Sequence, residues 1–200
     1  MRGRGRTLAL HVGVAALLSA CALPVPEPPM TASFIDQLPA DVPHGPRSAL
    51  TLLVLAPQAR PAYDTTRMAY SLRPHHIAYY SRNEWAETPP QMLQPLLLRA
   101  LESTGRFRAV LTPPQAGAYS HALQVDVLEL LQDFEQQPPM LRLVLHVQVA
   151  DAAQHATAAR DFTVDRPLPE ATPAGGVRAA NEAVAQALRE VAGYVLEQAR

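Results

Sequence analysis

The stretch LRLVLHVQV, residues 141–149, decides the fold class of this chain. Leucine or valine occupies every second position, and the positions between hold Arg142, Val144, His146 and Gln148. A two-residue period is that of a β-strand with one face against a core and the other toward solvent. The sequence therefore predicts a half-buried strand here, in a protein built around a sheet.

The stretch before it has the same period with one interruption. In residues 121–131 the apolar side chains alternate as far as Val127 and then shift to Leu128 and Leu130, which predicts a β-bulge. A Gln-Gln-Pro-Pro sequence separates the two stretches, so we expect them to form an antiparallel hairpin. Residues 158–164 can form the next strand.

Three segments nearer the N-terminus predict the remaining strands. The continuous apolar run of residues 48–56 is typical of a buried central strand, and residues 106–111 predict a short one. Residues 67–80 predict two short strands around a turn at Arg73 and Pro74.

Two helices are expected beside these strands. Thr88, Pro89 and Gln91 form a capping box with proline at the first helical position, which predicts a helix start. Residues 176–198 carry an apolar stripe rich in alanine and valine, typical of a helix that packs closely on a sheet or a partner. The expected fold is α/β with α+β character, a single mixed β-sheet of about six strands with two main helices packed on it.

The first 20 residues have the order of a secretory signal. Three arginines precede an apolar run that is too short for a membrane-spanning helix. The run ends in Leu18-Ser19-Ala20-Cys21, which holds the only cysteine and resembles the bacterial lipobox. That resemblance implies a diacylglyceryl group on the Cys21 sulfur, cleavage before Cys21 and an N-acyl chain on the new amino group.

These signals divide the chain into a signal peptide (1–20), a lipidated cysteine with a Pro-rich tether (21–46) and one domain (47–200). Without residues 1–20 the chain keeps 14 basic and 18 acidic residues, a net charge of −4, which argues against nucleic-acid binding. Ala22 replaces the aspartate common in lipoproteins retained at the inner membrane. By resemblance to Gram-negative sorting rules, we expect an outer-membrane anchor with the domain facing the periplasm.

The sequence has none of the common catalytic or nucleotide-binding motifs, such as GxSxG, HExxH, a P-loop or GxGxxG. His75 and His76 are adjacent and would face opposite sides of a strand, and the other histidines lack ligand spacing. We therefore expect no catalytic residue, no metal and no cofactor besides the covalent lipid on Cys21.

The densest aromatic stretch lies just before the first predicted helix. It supplies a candidate partner-binding set, namely Tyr79, Tyr80, Arg82, Asn83 and Trp85. Tryptophan, tyrosine and arginine are enriched at interface hot spots, which favours a docking surface. The alternative is that Trp85 and one tyrosine pin the helix to the sheet, and the sequence leaves both interpretations open.

The same region carries a family resemblance. Besides the lipobox and spacer, it is carried by Tyr63-Asp64, Arg67-Met68, Asn83, Trp85, Gly105 and Phe107. With these residues the chain resembles ABC-type transport auxiliary lipoproteins, the paraquat-inducible and Mce-associated group, over residues 47–200 and most strongly over 61–110.

This resemblance implies a non-enzymatic subunit of a phospholipid transport system between the inner and outer membranes. Its expected partners are an Mce-domain protein, an ABC permease and an ATPase, with a homo-oligomer left open. The lipoprotein would be the outer-membrane adaptor of that system. The alternatives are a lipid-binding carrier with an apolar cavity, an outer-membrane assembly scaffold and a periplasmic enzyme.

Overall fold

The structure is a computed structural model that describes residues 29–114, 117–152 and 156–199. The predicted signal peptide and Cys21 lie outside the described residues. The elements, in chain order, are β1 Thr31–Ser33, β2 Thr51–Val54, β3 Gln58–Ala59, β4 Arg67–Ser71, β5 Ala78–Trp85, α1 Pro89–Ser103, β6 Ala109–Leu111, β7 His121–Asp133, β8 Met140–Asp151, β9 Ala156–Pro167 and α2 Pro173–Gln198.

Strand β7 is the centre of a single mixed sheet. One of its edges pairs antiparallel with β8 along the whole strand, and β9 continues the antiparallel order beyond β8. Along the other edge, successive segments of β7 pair in parallel with three short strands: first β2, then β3, then β4. β6 lies beyond β2, whereas β5 and then β1 lie beyond β4. The mixed sheet is confirmed, with nine described strands where about six were expected.

The two helices cover one face of the sheet, which we call the inner face. The alternation in residues 141–149 places five side chains on this face, each at most 2% exposed: Leu141, Leu143, Leu145, Val147 and Val149. They pack with the apolar sides of α1 and α2 into one core that includes Leu97, Leu101, Leu188 and Val191. Burial of apolar surface is the main stabilising term in folding, so this interface holds the domain together.

The opposite side of the same strands, the outer face, is polar and half-buried to exposed. The predicted bulge is confirmed by a register shift between Val127 and Glu129, and the predicted hairpin by the antiparallel pairing of β7 with β8. Beyond the bulge, Glu129 lies on the outer face opposite Val144. Two cross-strand side-chain pairs lie on this face: Arg142 with Asp165 at 2.8 Å, and His146 with Asp161 at 2.6 Å.

The Pro-rich segment differs from the expected tether. Thr31–Ser33 pairs in parallel with β5, and Ile35 is only 5% exposed within the core. The Asn181 side chain on α2 accepts hydrogen bonds from the backbone N–H groups of residues 36 and 37 and donates to the carbonyl of Phe34. The folded part of the chain therefore begins near residue 31 rather than residue 47.

Both helix starts follow from local sequence. In α1 the Gln91 side chain accepts a hydrogen bond from the Thr88 backbone N–H at 3.0 Å, as the capping box predicts. Helix α2 begins at Pro173, three residues before the predicted start, because Thr172 caps it by accepting from the Gly175 N–H. Neither helix, nor any other helical segment in the described ranges, is long and apolar enough to cross a membrane.

Candidate functional site

The structure separates the five predicted partner-binding residues along β5. Trp85 is 3% exposed and belongs to the core, next to the start of α1. This is the position that the alternative, structural interpretation of Trp85 predicts. Arg82 and Asn83 are half-buried, and Asn83 pairs with Thr31 of β1 in the strand register.

Tyr80 faces the inner side of the sheet. Its hydroxyl donates a hydrogen bond to Oε1 of Gln132 at 3.1 Å, and its ring stacks on Tyr70 with centroids 4.6 Å apart. Burial, with Tyr70 as a smaller cause, raises the pKa of Tyr80 to about 12. Gln132 is itself 1% exposed, so this tyrosine supports the interior rather than a docking surface.

Tyr79 faces the outer side. Its hydroxyl donates to the carbonyl oxygen of Ala62 at 3.0 Å, and the Arg67 guanidinium lies 4.0 Å from its ring centroid. Ala62 lines the groove described next, so Tyr79 is the member of the predicted set that supports this groove. Whether the set binds a partner stays a prediction.

A groove of about 630 Å³ opens on the outer face beside residues 72–77, which we call the β4–β5 turn. We call it the outer groove. Its polar lining comes from four separate segments and includes Arg60, Tyr63, Ser71, His76, Glu129 and Arg142. The parallel pairing of β4 with the end of β7 brings these segments together.

The charges of the outer groove are incompletely paired. Burial raises the pKa of the Glu129 carboxyl, although Arg142 and Arg60 act in the opposite direction. The guanidinium of Arg142 is already held by two hydrogen bonds to Asp165, at 2.8 and 3.2 Å. Within the described ranges, the side chains of Arg60 and Glu129 form no hydrogen bond or salt bridge. A ligand with groups of both signs would satisfy them.

Tyr63 completes one wall of the groove. Burial, followed by the negative charge of Glu129, raises the pKa of its phenol to about 12. The phenol is therefore a neutral hydrogen-bonding group at physiological pH. It can donate to or accept from a bound polar group but cannot serve as a base there.

The arrangement lacks the geometry of nucleophilic catalysis. The Ser71 hydroxyl lies 2.9 Å from the carbonyl oxygen of Arg73 and 2.7 Å from the carboxylate of Glu135, so no histidine activates it. His76 directs Nδ1 to the carbonyl oxygen of Pro74 at 2.8 Å. Among the described residues no cluster of three metal-ligating side chains occurs. Ser71 and His76 therefore form no nucleophile–base contact with each other in this groove.

The space between sheet and helices is almost completely filled. The apolar cavity there, lined by Ile35, Leu93, Leu143 and Val184 among others, has a volume of about 10 Å³. That is at the lower limit for a single water molecule. The alternation of the strands therefore builds a packed core at this position, not a pocket for an acyl chain.

Sequence reasoning missed the outer groove. Its residues lie far apart in the chain, and no spacing rule connects residue 60 with residues 129 and 142. The sequence held one signal of an exposed functional surface near the groove. Two apolar residues, Leu72 and Ile77, lie at the ends of the predicted turn, where polar side chains are usual.

Solved structures share this fold. The crystal structure of protein XCC0632 from Xanthomonas campestris, of the DUF330 family, matches with a TM-score of 0.73 and 24% identity, covering 86% of this chain and 97% of that one. An uncharacterized protein matches with a TM-score of 0.69 and 13% identity, covering 84% and 99%. Hypothetical protein CT253 from Chlamydia trachomatis matches with a TM-score of 0.50 and 12% identity, covering 74% and 98%.

Identities this low show a shared fold and no more. A search of curated proteins found no significant sequence match. A family model described as the ABC-type transport auxiliary lipoprotein component matches residues 35–192. That match begins at the buried Ile35 and runs through most of α2, so it covers the folded domain almost from end to end. The chain belongs to the ABC-type transport auxiliary lipoprotein family.

Proposed function

We propose that this chain is a non-enzymatic, periplasm-facing lipoprotein subunit of an Mce/ABC-type system that moves phospholipids between the inner and outer membranes. It acts as the outer-membrane adaptor, held by the acylated Cys21. Its partners are an Mce-domain protein, an ABC permease and an ATPase. The family match over residues 35–192 carries this proposal.

The filled interior favours an adaptor over a carrier. A carrier needs an enclosed apolar space of several hundred Å³ for acyl chains. The cavity between the helices and the sheet holds about 10 Å³. The domain therefore supports transport by holding other components in place, and the lipid passes outside its core.

The outer groove is the surface we assign to the protein partner. Arg60 and Glu129 offer opposite charges within one open depression, and Tyr63 offers a neutral hydroxyl. Charges arranged in this way select a partner segment that carries the complementary pattern. Tyr79 stabilises the groove wall through its bond to Ala62 rather than reaching the partner itself.

Co-purification tests the proposal. The full chain, tagged at its C-terminus, is extracted from envelopes in mild detergent, and proteins retained with it are identified. We expect an Mce-domain protein and the matching permease. If the folded, envelope-associated chain retains neither, the adaptor function is wrong.

A paired substitution tests the docking surface within the same experiment. Arg60→Ala with Glu129→Gln should weaken retention of the Mce-domain protein by roughly tenfold, because both charges contact the partner in the groove. Arg99→Ala with Glu102→Gln changes the same residue types on the exposed side of α1 and should have no effect. Equal retention by both double variants would move the docking site away from the groove.

A further inference from the structure

The exposed large apolar residues of the described domain are few, and two of the four lie in a single turn. In the described ranges the large hydrophobic side chains that are exposed are Met30 at 55%, Phe34 at 58%, Leu72 at 67% and Ile77 at 40%. Leu72 and Ile77 lie at the two ends of the β4–β5 turn, with Arg73, His75 and His76 between them. An aliphatic pair around a basic and aromatic centre is the composition of segments that enter a membrane interface.

The direction of β1 shows from which end of the sheet residues 29 and 30 enter the domain. β1 runs parallel to β5, and β5 begins directly after the β4–β5 turn. The chain ahead of β1 therefore approaches from the turn end. The hairpin between β7 and β8, residues 134–139, also projects there, because Asp133 pairs with Met140 and the end of β4 pairs with the end of β7.

Chain length agrees with this placement. Thr31 pairs with Asn83, five residues beyond Ala78, so β1 starts about 17 Å from the start of β5. The ten residues from Cys21 to Met30 span at most about 33–36 Å when fully extended. A lipid on Cys21 thus keeps the start of β1 within about 36 Å of the bilayer, a range from which the turn end can reach the lipid surface.

We propose that the β4–β5 turn contacts the lipid surface in which Cys21 is anchored, with Leu72 and Ile77 entering the interface and Arg73 meeting lipid phosphates. The inference rests on the anchored adaptor proposed above and adds the orientation of the domain. The outer groove opens directly behind the turn, and Ile77 lines it. A protein docked in the groove therefore has its end at the membrane surface, where lipid must be transferred.

Fluorescence quenching in vesicles tests the orientation. The full lipoprotein is reconstituted into vesicles of phosphatidylethanolamine and phosphatidylglycerol with brominated acyl chains, which quench tryptophan only within the bilayer. The unsubstituted chain supplies the background, since Trp85 is its only tryptophan and is buried. Leu72→Trp should lose most of its added emission. Thr163→Trp, on the exposed outer face of β9, should lose little.

A second substitution tests whether the quenching depends on the apolar side chains of the turn. Adding Ile77→Asp to Leu72→Trp should restore the lost emission, whereas adding Asp at the exposed Ala159 should not. Equal emission from Leu72→Trp and Thr163→Trp in an anchored chain overturns the inference alone. Protection of Leu72→Trp from aqueous iodide without quenching by bromine indicates a protein contact and also overturns it. A chain that vesicles do not retain overturns the anchor on which both proposals depend.

Discussion

The inner and outer faces of the sheet are built from the same strands and have opposite characters. On β8, Leu143 and Leu145 are nearly inaccessible, whereas their neighbours Arg142 and His146 pair with carboxylates on the outer face. The inner face is covered by two helices, and the apolar cavity described between them and the sheet holds about 10 Å³. The outer face carries an open groove with charges left to be paired. In this domain the packed core lies on one face, and the open charged groove lies on the other.

The largest expected effect is on the inner face. Trp85→Ala removes a large side chain that is 3% exposed and should lower the free energy of unfolding by about 3–5 kcal/mol. Urea denaturation of the purified domain measures it. A loss below about 1 kcal/mol, together with loss of the Mce-domain partner, would instead make Trp85 an interface residue.

The next effect probes how closely α2 approaches the sheet. A Cβ on Gly176 would lie 2.1 Å from the Gln132 side chain, which is buried and bonded to Tyr80. Gly176→Ala should therefore cost about 1–3 kcal/mol in thermal or urea unfolding. Gly193→Ala on the same helix is the control, because its Cβ would meet Pro43 at an ordinary 3.6 Å. That control should be neutral or stabilising by up to about 1 kcal/mol.

A double-mutant cycle tests whether the Gln132 contact causes this loss. Gln132→Ala makes room for the added methyl group, so the loss in the double variant with Gly176→Ala should fall below the sum of the single losses. Strict additivity would show that the helix start does not depend on the Gln132 contact.

Substitutions on the outer face should lower the free energy of unfolding by less. Asp165→Asn removes one charge of the pair with Arg142, and both side chains are more than a third exposed. Exposed ion pairs contribute about 0–1 kcal/mol, so the loss should stay within that range and shrink in high salt. A loss as large as that of Trp85→Ala would end the distinction between the two faces.

The smallest expected effect is a gain in stability rather than a loss. Burial raises the pKa of Glu129, so the folded chain holds that proton more tightly than the unfolded chain. Stability should consequently fall as pH rises through the interval between the two pKa values, and the penalty is fully present above it. Glu129→Gln should give a small gain at neutral pH that vanishes at acid pH. Glu102→Gln, the same change on the exposed side of α1, is the matched control.

Much of the inner face could be predicted from local sequence. Alternation located β7 and β8, the shift after Val127 located the bulge, and the capping box located the start of α1. These signals are local because a strand or helix end is decided by neighbouring residues. β1 and β3 were missed because two or three residues are too few to show a period. The domain start was misplaced because Pro-rich composition concealed the buried Ile35.

The outer groove could not be predicted in the same way. Its charges meet only because β4 lies parallel to the end of β7, an arrangement between segments about sixty residues apart. No motif records such a pairing. Tyr79 and Tyr80 show the same limit: adjacent in sequence, they lie on opposite faces, one at the groove wall and one against Gln132.

The parallel pairing of β1 with β5 also decides how the domain bears mechanical load. A pull on the chain ahead of β1 acts along the strand axis. The hydrogen bonds to β5 are then strained together in shear rather than opened singly. The next contacts to bear the pull are those of Ile35 in the core and the hydrogen bonds to Asn181. Such a pull is therefore borne by β1 and the residues that follow it before it reaches the groove.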